Sequence, residues 1–197
     1  MVGRMTLRRF RGAAVGSGLS VSGAQAGEPA RPIVVELYTS QGGSSCPPAD
    51  ALLGQLAQRP DVLAMSLPIT YWDMLGWKDT LASPANTERQ KAYSKAMGKG
   101  GVYTPQIIVD GLTDVVGSKA SGVKSAIAAR EHDMTTVPIL LKPDGKEVHV
   151  SIGTGKPADA TVWVFHILSS STVPIGKGEN AGRTMTYKNV VRDLKPV

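Results

Sequence analysis

The sequence predicts an α/β domain followed by a β-rich C-terminal extension, and three observations carry that prediction. Short apolar, β-branched runs alternate with segments of helical spacing as far as residue 131. From about Thr135 onward only strand-like runs remain. Turn and cap signals fall at the joints, above all Ser83-Pro84 and Asp110-Gly111.

Taken in order, Ile33-Val34-Val35-Glu36-Leu37-Tyr38 reads as a buried strand. Thr39 to Ser45 is a polar, glycine-containing loop. Pro47 and Pro48 then open a helix carrying Ala51, Leu52, Leu56 and Ala57, because proline's missing N–H has no intrahelical partner in a first turn anyway. Cys46 therefore stands at or beside a helix N-terminus. Val62 to Ile69 is a second strand, and an aromatic loop follows from Tyr71 to Asp79. Ser83 caps a helix running to about Met97, which Gly98 to Gly101 breaks. Gln106 to Val109 turns at Asp110-Gly111 into Thr113 to Val116, and Ser118 to about Glu131 is a third helix. In the extension, Val137 to Leu141, Val148 to Ile152, Thr161 to Leu168 and Thr184 to Val191 read as strands. The order is β-α-β-α-β-β-α, then strands, which gives units over residues 33–134 and 135–197.

A strand, a loop ending in a cysteine, a helix, and later Thr104-Pro105 before a strand form the thioredoxin layout. Residue by residue the likeness is closer. The stretch from Val35 through Gln41-Gly42-Gly43-Ser44-Ser45-Cys46-Pro47-Pro48-Ala49-Asp50 resembles the signature of an uncharacterised family of secreted, thioredoxin-like bacterial proteins. Tyr71-Trp72-Asp73, Gly76-Trp77-Lys78-Asp79, Thr87-Glu88-Arg89-Gln90, Val102-Tyr103-Thr104-Pro105-Gln106 and Gly178-Glu179-Asn180 match its pattern as well. The resemblance implies a thioredoxin-like domain. Two departures matter. The family reads C-S-S-C where this chain reads Gly43-Ser44-Ser45-Cys46. Members also continue beyond the stretch matching Asn189-Val190-Val191-Arg192, so the extension is expected to be truncated, with an exposed strand edge.

In a C-x-x-C pair the first thiolate, stabilised by the helix end, attacks the substrate disulfide, and the second cysteine resolves the mixed disulfide. Here Gly43 occupies the attacking position and Cys46 the resolving one. Cys46 reads either as a reactive thiol forming mixed disulfides or as a small, partly buried residue under the loop. As the chain's one cysteine, it has no intramolecular disulfide partner. Ser44 and Ser45 are expected to hydrogen-bond the helix N-terminus. Thr104-Pro105 resembles the cis-proline loop that faces the motif in thioredoxin folds, where the preceding backbone pairs with an extended peptide. Trp72 and Trp77 either line that groove, with Asp73 and Lys78 as its rim, or pack the aromatic loop onto the core. Glu36 is either a buried proton acceptor for thiol chemistry or a carboxylate at a partly solvated strand face.

The 197 residues carry a net charge of +6, but four of the basic residues, Arg4, Arg8, Arg9 and Arg11, lie in the first 26, where no acid occurs. Nucleic-acid binding thereby loses its main support. Residues 1–26 read as a secretory signal: a basic start, a small-residue apolar stretch from Gly12 to Gly23, and Ala24-Gln25-Ala26 as cleavage site. Arg8-Arg9-Phe10 loosely matches a twin-arginine leader. A periplasmic or secreted product is expected, with no integral membrane segment after cleavage. His132, His149 and His166 show no metal-ligand spacing, and Gly153-Thr154-Gly155-Lys156 reads as a turn rather than a phosphate loop. No cofactor is expected. The anticipated partner is a peptide or a thiol-bearing protein.

Overall fold

The computed structural model describes residues 31–131, 137–145, 147–154 and 161–196. The signal sequence, the boundary at Thr135, His132 and Gly155-Lys156 lie outside the described residues. In chain order the elements are β1 (Ile33–Thr39), α1 (Pro47–Leu56), β2 (Val62–Pro68), a 3-10 turn (Asp73–Leu75), α2 (Pro84–Ala96), β3 (Gln106–Val109), β4 (Thr113–Val116), α3 (Ala120–Ala128), β5 (Ile139–Asp144), β6 (Glu147–Ile152), β7 (Trp163–Pro174) and β8 (Thr184–Pro196).

Six strands form one mixed sheet in the order β4-β3-β1-β2-β8-β7, and β5 and β6 form a separate hairpin. β1 runs parallel to β2, β3 is antiparallel to both β1 and β4, and β8 joins β2 in parallel through Ser66 opposite Val190. The fold is thus mixed α/β with three helices on a central sheet, and the extension's last two strands continue that same sheet.

Alternation along β1 sorts the core into two faces. Val35 and Leu37 pack with Ala49, Leu52 and Leu53 of α1 and with Val123 and Ile127 of α3. Tyr38 faces the other way, into a cluster with Met65, Leu67, Ile69, Ile108 and Val191. α2 begins as expected, with the Ser83 hydroxyl accepting the Ala85 N–H at 3.2 Å.

Glu36 shares the face of Tyr38 and answers to neither sequence reading. It is 2% exposed, and Arg89 grips it with Nε and a terminal nitrogen at 2.7 and 2.9 Å. The hydroxyls of Tyr38 and Tyr93 donate to the same carboxylate at 2.9 and 2.8 Å. The Arg89 guanidinium stacks over Tyr93, Trp163 and Phe165 at 5.1, 5.2 and 5.0 Å. Glu36 is an anchor between β1, α2 and β7, on the face opposite α1.

β7 and β8 run past their expected ends, to Pro174 and Pro196. The added stretch Ser169–Val173 lacks apolar alternation, and cross-strand pairing with Met185–Lys188 holds it in place. The β5–β6 register sets Ile139 against Ile152 and Leu141 against Val150, and all four side chains are exposed.

Candidate functional site

The loop between β1 and α1 folds into a compact turn because every side contributes a partner. Gly43 donates its N–H to the Ser40 carbonyl at 3.4 Å, and Cys46 donates to the Gly43 carbonyl at 3.1 Å. From one flank, the Asp79 carboxylate accepts the Gln41 N–H at 2.8 Å, and Trp77 Nε1 donates to Gln41 Oε1 at 2.8 Å. From the other, Asn180 Nδ2 donates to the carbonyls of Gln41 and Gly43 at 2.8 and 3.0 Å. The exposed Glu179 carboxylate accepts the Ser44 N–H at 2.8 Å. Both Glu179 and Asn180 belong to the β7–β8 connection, so the C-terminal strands shape this loop directly.

Cys46 occupies the N-cap of α1 and is 0% exposed, while Ser44 and Ser45 are exposed. The expected cap from Ser44 or Ser45 is not made. No side chain caps α1, and the loop instead turns Ser44 outward to Glu179. A Cβ built on Gly43 would stand 3.1 Å from Cys46 Sγ and 3.9 Å from Thr104 Oγ1. Gly43 also lies outside the left-handed region, so its backbone does not require glycine.

Burial pushes the Cys46 thiol up, and the nearby Asp50 adds to that push against opposing hydrogen bonds from Thr104, Ser40 and Thr39. It is therefore a neutral thiol at pH 7. Asp50 lies one turn along α1 on the same side. Burial raises its carboxyl to about 8, with the Thr39 hydroxyl donating to Oδ1 at 2.8 Å and Oδ2 without a partner among the described residues. Asp79 is also raised by burial, although Gln41 and Leu81 both donate backbone N–H groups to it.

Thr104, Pro105 and Trp72 form the opposite wall. The Thr104-Pro105 peptide bond is cis. Trp72 Nε1 donates to Thr104 Oγ1 at 2.7 Å, which fixes the indole against this wall. Trp77 sits elsewhere: its N–H is spent on Gln41, and it packs tightly on the β7–β8 connection, its ring against Gly176 and its Cβ against Gly178. Asp73 closes its own turn by accepting the Asp79 N–H at 3.1 Å. Trp72 thus borders the site, whereas Trp77 braces the loop from behind. Between them Met74 is 81% and Leu75 41% exposed, an apolar lip on the aromatic loop. Among the described residues, neither Val102 nor Thr104 has a hydrogen-bond partner for its backbone N–H or C=O.

Sequence reasoning missed the clamp residues Gln41, Asp79, Glu179 and Asn180, and the buried Asp50. All five fall inside the motif stretches quoted above, yet nothing local to Gly178-Glu179-Asn180 announces a bond to a loop 137 residues earlier. Among the described residues no group of His, Cys, Asp and Glu is placed to hold a metal ion, and no helix is long and apolar enough to cross a membrane.

Residues 34–197 match the model of a family described as a protein of unknown function, DUF1223. The X-ray crystal structure of a protein from Agrobacterium tumefaciens is similar to this chain, with 38% identity and a TM-score of 0.75, over 86% of this chain and 74% of the other. No curated protein matches it.

Proposed function

We propose that this chain, which belongs to the DUF1223 family of proteins of unknown function, is an exported thioredoxin-like protein that binds an extended peptide segment beside a degenerate redox loop. One observation carries the reading. Glycine stands at position 43, where the resembled motif has its attacking cysteine, and the thiol that remains, on Cys46, is wholly buried. A nucleophile must be exposed and ionised, and Cys46 is neither.

The surroundings support binding. The strand order β4-β3-β1-β2, with α1 leaving β1 at the loop, supports the thioredoxin-like reading. The unpaired backbone of Val102 and Thr104 offers donors and acceptors at the spacing of an extended strand. Trp72, Met74 and Leu75 supply apolar surface for the side chains of such a peptide. Export rests on the leader-like residues 1–26.

The rival reading is a monothiol oxidoreductase using Cys46, and the burial of that thiol counts against it. A disulfide-reductase assay with insulin as substrate separates the two. The expected result is no turnover above the Cys46→Ser variant; turnover abolished by Cys46→Ser overturns the binding reading.

A further inference from the structure

The central sheet ends differently at its two edges. β4 is 4 residues long and carries Asp114, ion-paired with Lys99 at 3.1 Å. A short, charged edge of this kind resists pairing with another chain. β7, at the other edge, runs 12 residues and contains no Asp, Glu, Lys or Arg. Its one proline is the last residue, and its one irregularity falls between His166 and Ile167. Its neighbour β8 carries Lys188, Arg192, Asp193 and Lys195, so the lack of charge belongs to the edge strand itself. Among the described residues no strand pairs with the outer side of β7, which leaves alternate N–H and C=O groups pointing away from the sheet. Trp163, Val164 and Leu168 are 40%, 40% and 43% exposed along it.

We propose that β7 is a self-association surface on which a second copy of this chain pairs antiparallel about a two-fold axis, joining two sheets into one. The strand can pair with its own reverse without charge repulsion. With Leu168 opposite its own copy, Ile167 meets Ser169, His166 meets Ser170, Phe165 meets Ser171 and Val164 meets Thr172. No like charges face each other in that register, and the exposed leucines meet at the axis. A partner strand bearing charges would gain nothing from the uncharged edge, whereas an identical strand satisfies it along its length.

Sedimentation equilibrium of the full chain tests this with Leu168→Lys and Leu168→Asp. Both substitutions are at an exposed position, and circular dichroism checks that both variants stay folded. The wild type is expected to dimerise reversibly. Each variant alone is expected to raise the dimer dissociation constant by about tenfold or more, because like charges meet at the axis. Mixing the two variants is expected to restore a heterodimer, which a merely structural role for Leu168 does not predict. A wild type that stays monomeric throughout, variants that dimerise as well as wild type, or a mixture no tighter than its components overturns the proposal.

Discussion

Replacing Gly43 with cysteine tests whether the loop retains the geometry of a dithiol site. The position a Cβ would take lies 3.1 Å from Cys46 Sγ. Across a disulfide, the Cβ of one cysteine stands about 3 Å from the sulfur of the other, from standard bond lengths and angles. That contact is too close for an unbonded neighbour but fits a bonded one, and the backbone at Gly43 accepts a side chain. Gly43→Cys is therefore expected to oxidise spontaneously in air to an intramolecular disulfide. Closing so short a loop is expected to stabilise the fold by about 2 kcal/mol, a rise in Tm of roughly 4–8 °C for a chain of this size. Intact mass and thiol titration under native and denaturing conditions read the result: loss of two hydrogens and no titratable thiol until reductant is added. Two titratable thiols in the folded, air-exposed variant would refute the geometric reasoning.

Other predictions follow from the same contacts. Cys46 is expected to alkylate more than about a hundredfold more slowly in the native protein than in urea, since the thiol is buried and neutral; equal rates contradict its burial. The Asp50 carboxyl, raised to about 8, binds its proton more tightly folded than unfolded. Asp50's contribution to stability is therefore full below the unfolded value of about 3.9 and is lost as pH climbs to about 8, by up to about 5 kcal/mol. Asp50→Asn is expected to flatten that decline in urea midpoints and to be more stable than wild type at pH 9. Asn180→Ala removes two bonds to loop carbonyls and is expected to cost about 1–3 kcal/mol while speeding Cys46 alkylation; an unchanged alkylation rate argues against the clamp. Arg89→Met removes the ion-pair partner of the buried Glu36, so a loss of about 3–5 kcal/mol in chemical denaturation is expected, largely recovered by adding Glu36→Leu.

How much of this was legible in the sequence depended on whether the controlling force was local. β1, β2 and β3 were readable because Val35, Leu37, Leu67 and Ile107 sit in short apolar runs bounded by turn residues. α2 was readable because Ser83-Pro84 states its own start. The second half of β7 was not, because its Ser-Thr run takes its conformation from β8 rather than from any pattern of its own. Ser44 and Ser45 have the right chemistry for a cap, but Glu179 draws the loop outward. Glu36 could not be placed because its partners come from α2, 53 and 57 residues along the chain. For the same reason the motif pointed to this candidate loop but not to the different placements of Trp72, against Thr104, and Trp77, against Gln41.

The account rests on peptide binding that needs no thiol, and hydrogen exchange on the bound protein tests that claim most directly. Cysteine-free extended peptides are titrated against the wild type and Cys46→Ala, with amide exchange followed residue by residue. The account predicts equal affinities for the two proteins and new protection at the Val102 and Thr104 amides, whose N–H groups have no partner among the described residues. Binding that disappears with Cys46→Ala, or that requires a cysteine in the peptide, would contradict it, as would binding that leaves both amides unprotected.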